Sequence, residues 1–355
     1  MNTIGGRVAA ALAGRTQKGV AEEVDMTPDA FSRALRGERG FAAIELARLA
    51  DVLHEDVHFL ITGEPDPHAL VVSARHAWNP EDGSRAVPSA DKDGAILDDI
   101  GLAYAQAGPG GSEVTLPRTP AQVRDALGSD FVRPFLARLE RLGVDVVRVA
   151  ELSTSYSFTA GGRPVIALNA TGNWFRENWG LAHELGHLVA GDAGIMPGSA
   201  RQNDAERDAN TFAADLLMPR QMVEGVTWSD LPLDRLAELV WEWGVSTEAL
   251  KNRLAKLRVE VSPDVAEVLT WTTQKLLHRH GAGALRDEIT ARMDAAATRV
   301  FPSWLRERHL DLIATGGVGK GTLAWMLGVP PDGLEVDEPT PPPALDDAEL
   351  DGLWG

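Results

Sequence analysis

The sequence predicts a mainly α-helical protein with one small antiparallel sheet, an all-helical domain at its start and a helical region at its end. Three observations carry this. Apolar residues recur at three- and four-residue spacing along most of the 355 residues, the period of a helix with one buried face. Alternating β-branched runs cluster between positions 144 and 169, which confines the sheet to that stretch. Glycine and proline punctuate the chain at 65–67, 79–84, 161–162 and 191–198, where it must turn.

Taken in order, residues 17–24 and 28–37 read as two short helices joined by a tight turn, with Thr27 as N-cap and Pro28 as the first helical residue. Ala21, Val24, Met26, Phe31 and Leu35 form the packed seam, while Thr27, Asp29, Ser32, Arg33 and Arg36 face out. This is a helix-turn-helix pattern. Helices follow at 91–107 and within 121–142. Residues 144–149, 153–159 and 164–169 read as strands, the last two joined by the hairpin signal Ala160-Gly161-Gly162-Arg163. Strand 164–169 is either a core strand or an edge that accepts an extended peptide by strand addition. Tyr156, one of two tyrosines, is either a sheet-core residue or a donor to developing negative charge.

The chemistry sits in His183-Glu184-Leu185-Gly186-His187. On a helix, residues four apart share a face, so both imidazoles can ligate one ion. Zinc takes neutral imidazole and carboxylate ligands and keeps one position for water in a catalytic site. A glutamate beside the first histidine is placed to accept the water proton, and Glu184 holds that position. Leu181, Ala182, Leu185, Leu188 and Val189 bury the helix, and Gly186 lets another backbone or a substrate approach. A third ligand must come from the next helical segment, which offers Asp204, Glu206 and Asp208. Glu206 is preferred, with Asn210 one turn later to hold His183 or His187 as a hydrogen-bonding support.

Past 257, residues 263–280 and 283–300 read as amphipathic helices with Val265, Val268, Leu269, Trp271, Leu276 and Leu277 as core. His278 and His280, two apart, point to different sides and read as surface. The stretch 316–322 looks like a phosphate-binding loop, but too little chain follows for a nucleotide-binding sheet. It is expected to lead into a helix at 322–327. The tail from 330 is acidic and proline-rich and reads as disordered, with Leu345, Leu350, Leu353 and Trp354 as a possible docking motif or cover for a basic surface. The signals divide the chain into 1–65, a helix-turn-helix domain; 66–90, a linker; 91–258, built round the metal motif; 259–330, helical; and 331–355, the tail.

Composition narrows the function classes. The chain has no cysteine, no apolar span long enough for a bilayer and no signal-peptide core at its start, so a cytoplasmic protein with no membrane partner is expected. A net charge of −18 opposes nucleic acid as a partner of the whole surface.

The segment Ala182-His183-Glu184-Leu185-Gly186-His187, followed by Glu206-Arg207-Asp208-Ala209-Asn210-Thr211-Phe212-Ala213-Ala214-Asp215-Leu216-Leu217-Met218-Pro219, resembles the ImmA/IrrE family of bacterial metallopeptidases. The similarity runs from about Gly143 to Leu257. It implies a zincin-like α+β domain in which His183, His187 and Glu206 hold Zn2+, Glu184 is the general base and Asn210 is the polar residue beside the metal. It also implies a cytoplasmic site-specific protease whose protein substrate is a repressor or other regulator. The approach Trp174-Phe175-Arg176-Glu177-Asn178-Trp179-Gly180 differs from the family's usual Arg-Phe-Thr before Ala-His-Glu.

Residues 8–63 resemble the XRE, Cro-type DNA-binding domains through Gln17, Ala21, Ser32 and Leu35. That resemblance implies that Gln17, Asp29, Ser32, Arg33 and Arg36 meet double-stranded DNA. Residues 1–65 carry seven Lys and Arg against ten Asp and Glu, too few cations for strong non-specific binding. Weak or dimer-dependent DNA binding fits Arg33, Arg36 and Arg39, and so does a helical bundle that binds a protein. A homodimer belongs to the first of these. Two functions stand open: a zinc endopeptidase coupled to a DNA-binding domain, and an XRE-type regulator whose peptidase-like domain is a non-cleaving sensor or dimerisation module.

Overall fold

The computed structural model describes residues 3–12, 14–53, 55–64, 72–74, 77–78, 85–86, 90–110, 114–192, 200–281 and 285–339. The linker signals at 65–67 and 79–84 and the tail leucines and Trp354 lie outside them. The chain forms two compact units, Met1–Ala69 and Leu70–Gly355.

The first unit holds α1 (Ile4–Ala11), α2 (Gln17–Glu23), α3 (Pro28–Leu35), α4 (Ala43–Leu53) and α5 (Val57–Thr62). Thr16 and Thr27 cap α2 and α3 by accepting the Gly19 and Ala30 amides, satisfying N–H groups that the helix itself cannot. Asp25, at φ 62°, makes the turn between them. Val8, Val20, Ala21, Val24, Phe31, Leu49 and Leu60 are the core, with Met26 buried and Leu35 half-buried against it. A Cβ on Gly5 would lie 2.5 Å from the Leu35 carbonyl oxygen, so only glycine lets α1 meet α3 there. Arg7 is buried and donates to the Leu60 and Ile61 carbonyls, a cation at the negative end of α5.

The second unit opens with β1 (Val72–Ala74) and the ribbon β2 (Ala77–Trp78) and β3 (Arg85–Ala86). There follow α6 (Ala90–Ala107), α7 (Pro120–Leu127), α8 (Phe135–Leu142), β4 (Asp145–Val149), β5 (Tyr156–Ala160), β6 (Arg163–Asn169), α9 (Trp174–Ala190) and α10 (Ala200–Leu217). The chain ends in α11 (Arg220–Glu224), α12 (Leu233–Trp243), α13 (Thr247–Leu257), α14 (Pro263–Val268), α15 (Thr273–His280), α16 (Leu285–Ala297), α17 (Ser303–Ala314) and α18 (Gly321–Leu327). Among the described residues no helix is long and apolar enough to cross a membrane.

The sheet order is β1-β5-β6-β4, which corrects the expected all-antiparallel pairing and decides between the two readings of strand 164–169. It is mixed, because β4 and β6 run parallel while β5 is antiparallel to both β6 and β1. The strand 164–169 is central, not an edge. The hairpin signal was local and correct: Gly161 and Gly162 both have positive φ, 56° and 78°, the two-residue turn that matches strand twist. Nothing local specifies that the hairpin inserts β6 beside β4.

Helices cover both sheet faces, which is why β4 is buried along its whole length. Val146, Ile166 and Leu168 face α9 with Leu181 and Leu185. Val147, Val149, Tyr156, Phe158 and Val165 face α6, α17 and α18 with Ile100, Tyr104, Leu305 and Leu323. Val265, Val268, Leu269, Leu276 and Leu277 are buried in the first of these cores, and Phe301 and Leu305 in the second. Packing therefore runs unbroken across the boundary expected at 258–259. Lys320, in the phosphate-loop lookalike, is engaged by Glu338 at 3.0 Å and directed at the Leu334 carbonyl.

Candidate metal centre

Asn173 caps α9 by accepting the Arg176 amide, and Gly191 ends the helix in the left-handed region at φ 66°. Between these stops the helix lies against β5 and β6 on one side and α10 on the other. A Cβ on Gly186 would come within 3.2 Å of Ala209 Cα and Phe212 Cβ. Glycine at the centre of the motif is thus what lets α10 cross close enough to deliver a side chain.

The side chain delivered is that of Glu206. His183 Nε2 and His187 Nε2 are 3.2 Å apart, and they lie 3.6 and 3.5 Å from the two Glu206 oxygens. All three residues are buried. Tetrahedral ligands about 2.05 Å from zinc are about 3.3 Å from one another, so these separations fit one small divalent ion. Asp204 and Asp208, the other acids of the segment, are exposed and lie beside Arg207.

The charges agree with the geometry. Burial pushes the His187 imidazole down, but Asp192, Glu206 and Glu184 together outweigh it and lift its pKa to about 10. The pocket thus presents an excess of carboxylate charge, which a divalent cation held by the three side chains would offset. Glu184 is fully buried, and its Oε2 accepts a hydrogen bond from Ser157 Oγ on β5 at 2.8 Å.

Two supporting contacts differ from expectation, whereas Tyr156 takes the sheet-core role. Asn210 does not hold either imidazole: its Nδ2 donates to the Glu206 backbone carbonyl at 2.8 Å. The support of His187 is Asp192, whose carboxylate oxygens lie 2.9 and 3.0 Å from Nδ1. This contact fixes Nδ1 as the protonated nitrogen and leaves Nε2 for a metal. Its signal in sequence was an acid placed directly after the glycine that ends the helix. Tyr156 is a core residue, its hydroxyl donating to the buried Asp93 at 2.7 Å, and burial with that contact raises its pKa strongly. Ser157, which the sequence reading passed over, shares a strand with Tyr156 but points to the opposite face.

Most of the approach segment of α9 is packing, with Arg176 exposed and Trp179 half-buried. Trp174, Phe175, Glu177 and Asn178 are buried, Glu177 pairs with Arg148, and Asn178 donates to the Gly244 carbonyl. The five residues expected to meet DNA lie in the other unit. Gln17, Asp29, Arg33 and Arg36 are exposed and Ser32 is half-buried. Arg36 is held by Glu38 and Ser32 at 2.6 Å each, and Arg33 lies 3.8 Å from Glu38.

Residues 139–255 match the IrrE N-terminal-like domain, a metallopeptidase family. The match covers about a third of the chain and contains the whole His183, His187, Glu206 cluster. No curated protein and no solved structure matches the chain.

Asp192→Asn is expected to weaken divalent-metal binding by about 10- to 100-fold, the usual loss when a ligand's hydrogen-bonded partner goes. Competition with a chromogenic chelator measures it. Unchanged affinity would show that the Asp192 contact does nothing for the site.

Proposed function

We propose that the chain is an ImmA/IrrE-type zinc endopeptidase that cleaves a cytoplasmic protein, most simply a transcriptional regulator. The observation that carries this reading is the convergence of His183, His187 and Glu206 beside a buried, hydrogen-bonded Glu184. A bound zinc ion polarises the scissile carbonyl and acidifies its water. Glu184, beside the ligand set, would accept a proton from the attacking water, and the Ser157 hydroxyl holds one of its carboxylate oxygens so that the acid keeps one orientation. Asp192 fixes the His187 ring. The α10 crossing at Gly186 excludes solvent from the ligand set. A sensor that only bound metal has no use for Glu184, which favours cleavage over the non-cleaving regulator.

The pair α2 and α3, with its Thr27-Pro28 cap, favours an XRE-type domain that brings this peptidase to DNA or to a DNA-bound regulator. Here Glu38 competes with phosphate for Arg33 and Arg36. Arg36→Ala is expected to weaken binding to DNA duplexes regardless of sequence and to lower the salt slope by about one. Glu38→Gln is expected to strengthen binding. A salt-dependent titration in which neither substitution changes affinity would retire direct DNA contact.

The test of peptidase action is incubation of the zinc-loaded chain with regulators encoded beside it, with cut sites located by mass spectrometry. A product pattern that persists in the Glu184→Gln chain would refute it.

A further inference from the structure

β5 carries Ser157, whose hydroxyl donates to the proposed base, and its outer edge is covered by a segment of the chain itself. β1 pairs with β5 antiparallel, in the register Val72 with Phe158, Ser73 with Ser157 and Ala74 with Tyr156. Which backbone groups face the strap follows from β6. Pro164 stands opposite Thr159, and a proline has no N–H, so that pair cannot exchange hydrogen bonds. Hydrogen-bonded pairs alternate along an antiparallel ladder. Phe158 and Ala160 therefore direct their N–H and C=O toward β6, while Ser157 and Thr159 direct theirs toward β1. Ser157 thus offers its backbone to the strap and its hydroxyl to Glu184, at 2.8 Å.

A peptidase must hold its substrate's backbone extended beside the metal, and an unpaired strand edge is the surface that does so. The edge in register with the base is this one. We propose that Val72–Ala74 is an intramolecular strap that occupies the peptide-binding edge of β5, so that an extended peptide substrate enters by displacing it. This rests on the peptidase reading. Among the described residues the strap is three residues long and pairs only with β5, and β4, the opposite edge of the sheet, lies beyond β6. Short pairing of this kind is readily opened. The strap also lies at the start of the second unit, in the connection from the five-helix unit.

The test separates the strap from catalysis. In Ser73→Pro the strap loses the N–H that faces Ser157, whereas in Ala74→Pro the lost N–H faces away from β5. Amide exchange of Ser157, followed by NMR on the full zinc-loaded chain, is expected to quicken by about tenfold or more in Ser73→Pro and to stay put in Ala74→Pro. A synthetic peptide with the sequence of residues 69–78, added at millimolar concentration, is expected to restore protection to Ser73→Pro and to leave wild type unchanged. Casein hydrolysis that depends on Glu184 is expected to rise by a similar factor in Ser73→Pro. Unchanged exchange in Ser73→Pro, no protection by the peptide, or Glu184-dependent hydrolysis that is present but equal in wild type and Ser73→Pro would each overturn the strap. The exchange readout needs no bond cleavage. Restored protection without any Glu184-dependent hydrolysis would count against the peptidase reading and leave the strap standing.

Discussion

Glu184→Gln is expected to keep zinc at the wild-type stoichiometry and to lower hydrolysis by about a hundred- to ten-thousand-fold, the range a positioned general base contributes. The substitution replaces one carboxylate oxygen by an amide nitrogen of the same size, and the remaining oxygen still accepts from Ser157. Fold and ligands are therefore untouched while the proton acceptor is gone. His183→Ala removes a ligand from a set whose members are 3.2 and 3.6 Å away, so metal and activity go together. Elemental analysis of the purified chains, run beside a cleavage assay, distinguishes the two losses. A Glu184→Gln chain that loses zinc, or one that cleaves at the wild-type rate, contradicts the assignment of Glu184 as a base outside the ligand set.

The parts of this site that sequence could reach are those fixed by helical geometry. His183 and His187 share a face because they are four apart, and Glu206 follows on a helix whose other acids are on the wrong side. Gly186 was legible as a close approach because no side chain fits there, though the approaching backbone was not. What sequence could not reach depends on pairing over distance. The parallel neighbours β4 and β6 have the same alternation as antiparallel ones, and only the hairpin through Gly161 and Gly162 has a local signature. Asp192 supports His187 from beyond a helix stop, where periodicity carries no information. Asn210 shows the converse error: it lies one turn from Glu206, and its amide is satisfied by that same turn's carbonyl.

Arg148 and Glu177 decide how α9 is held, and breaking their contact is expected to cost more stability than any surface change. Arg148 Nη1 donates to both Glu177 oxygens at 2.7 and 2.8 Å, its Nε donates to the Thr298 carbonyl, and its backbone pairs with Val300. One side chain thereby joins β4, the first turn of α9 and the segment after α16. Both partners are 5 % exposed. Burial raises the Glu177 pKa, and Arg148 offsets that only in part. The value of a buried pair of this kind is positional, since well-packed apolar residues can replace both partners at little loss. Glu177→Ala and Arg148→Ala are each expected to lose about 3–5 kcal/mol, because each leaves a buried charge alone. Arg148→Met with Glu177→Met removes both charges at similar volume, and is expected to lose far less than the two single losses combined. Urea unfolding of the four chains closes the double-mutant cycle. Additive losses would mean that the two groups do not depend on each other, and that α9 is positioned by its apolar contacts alone.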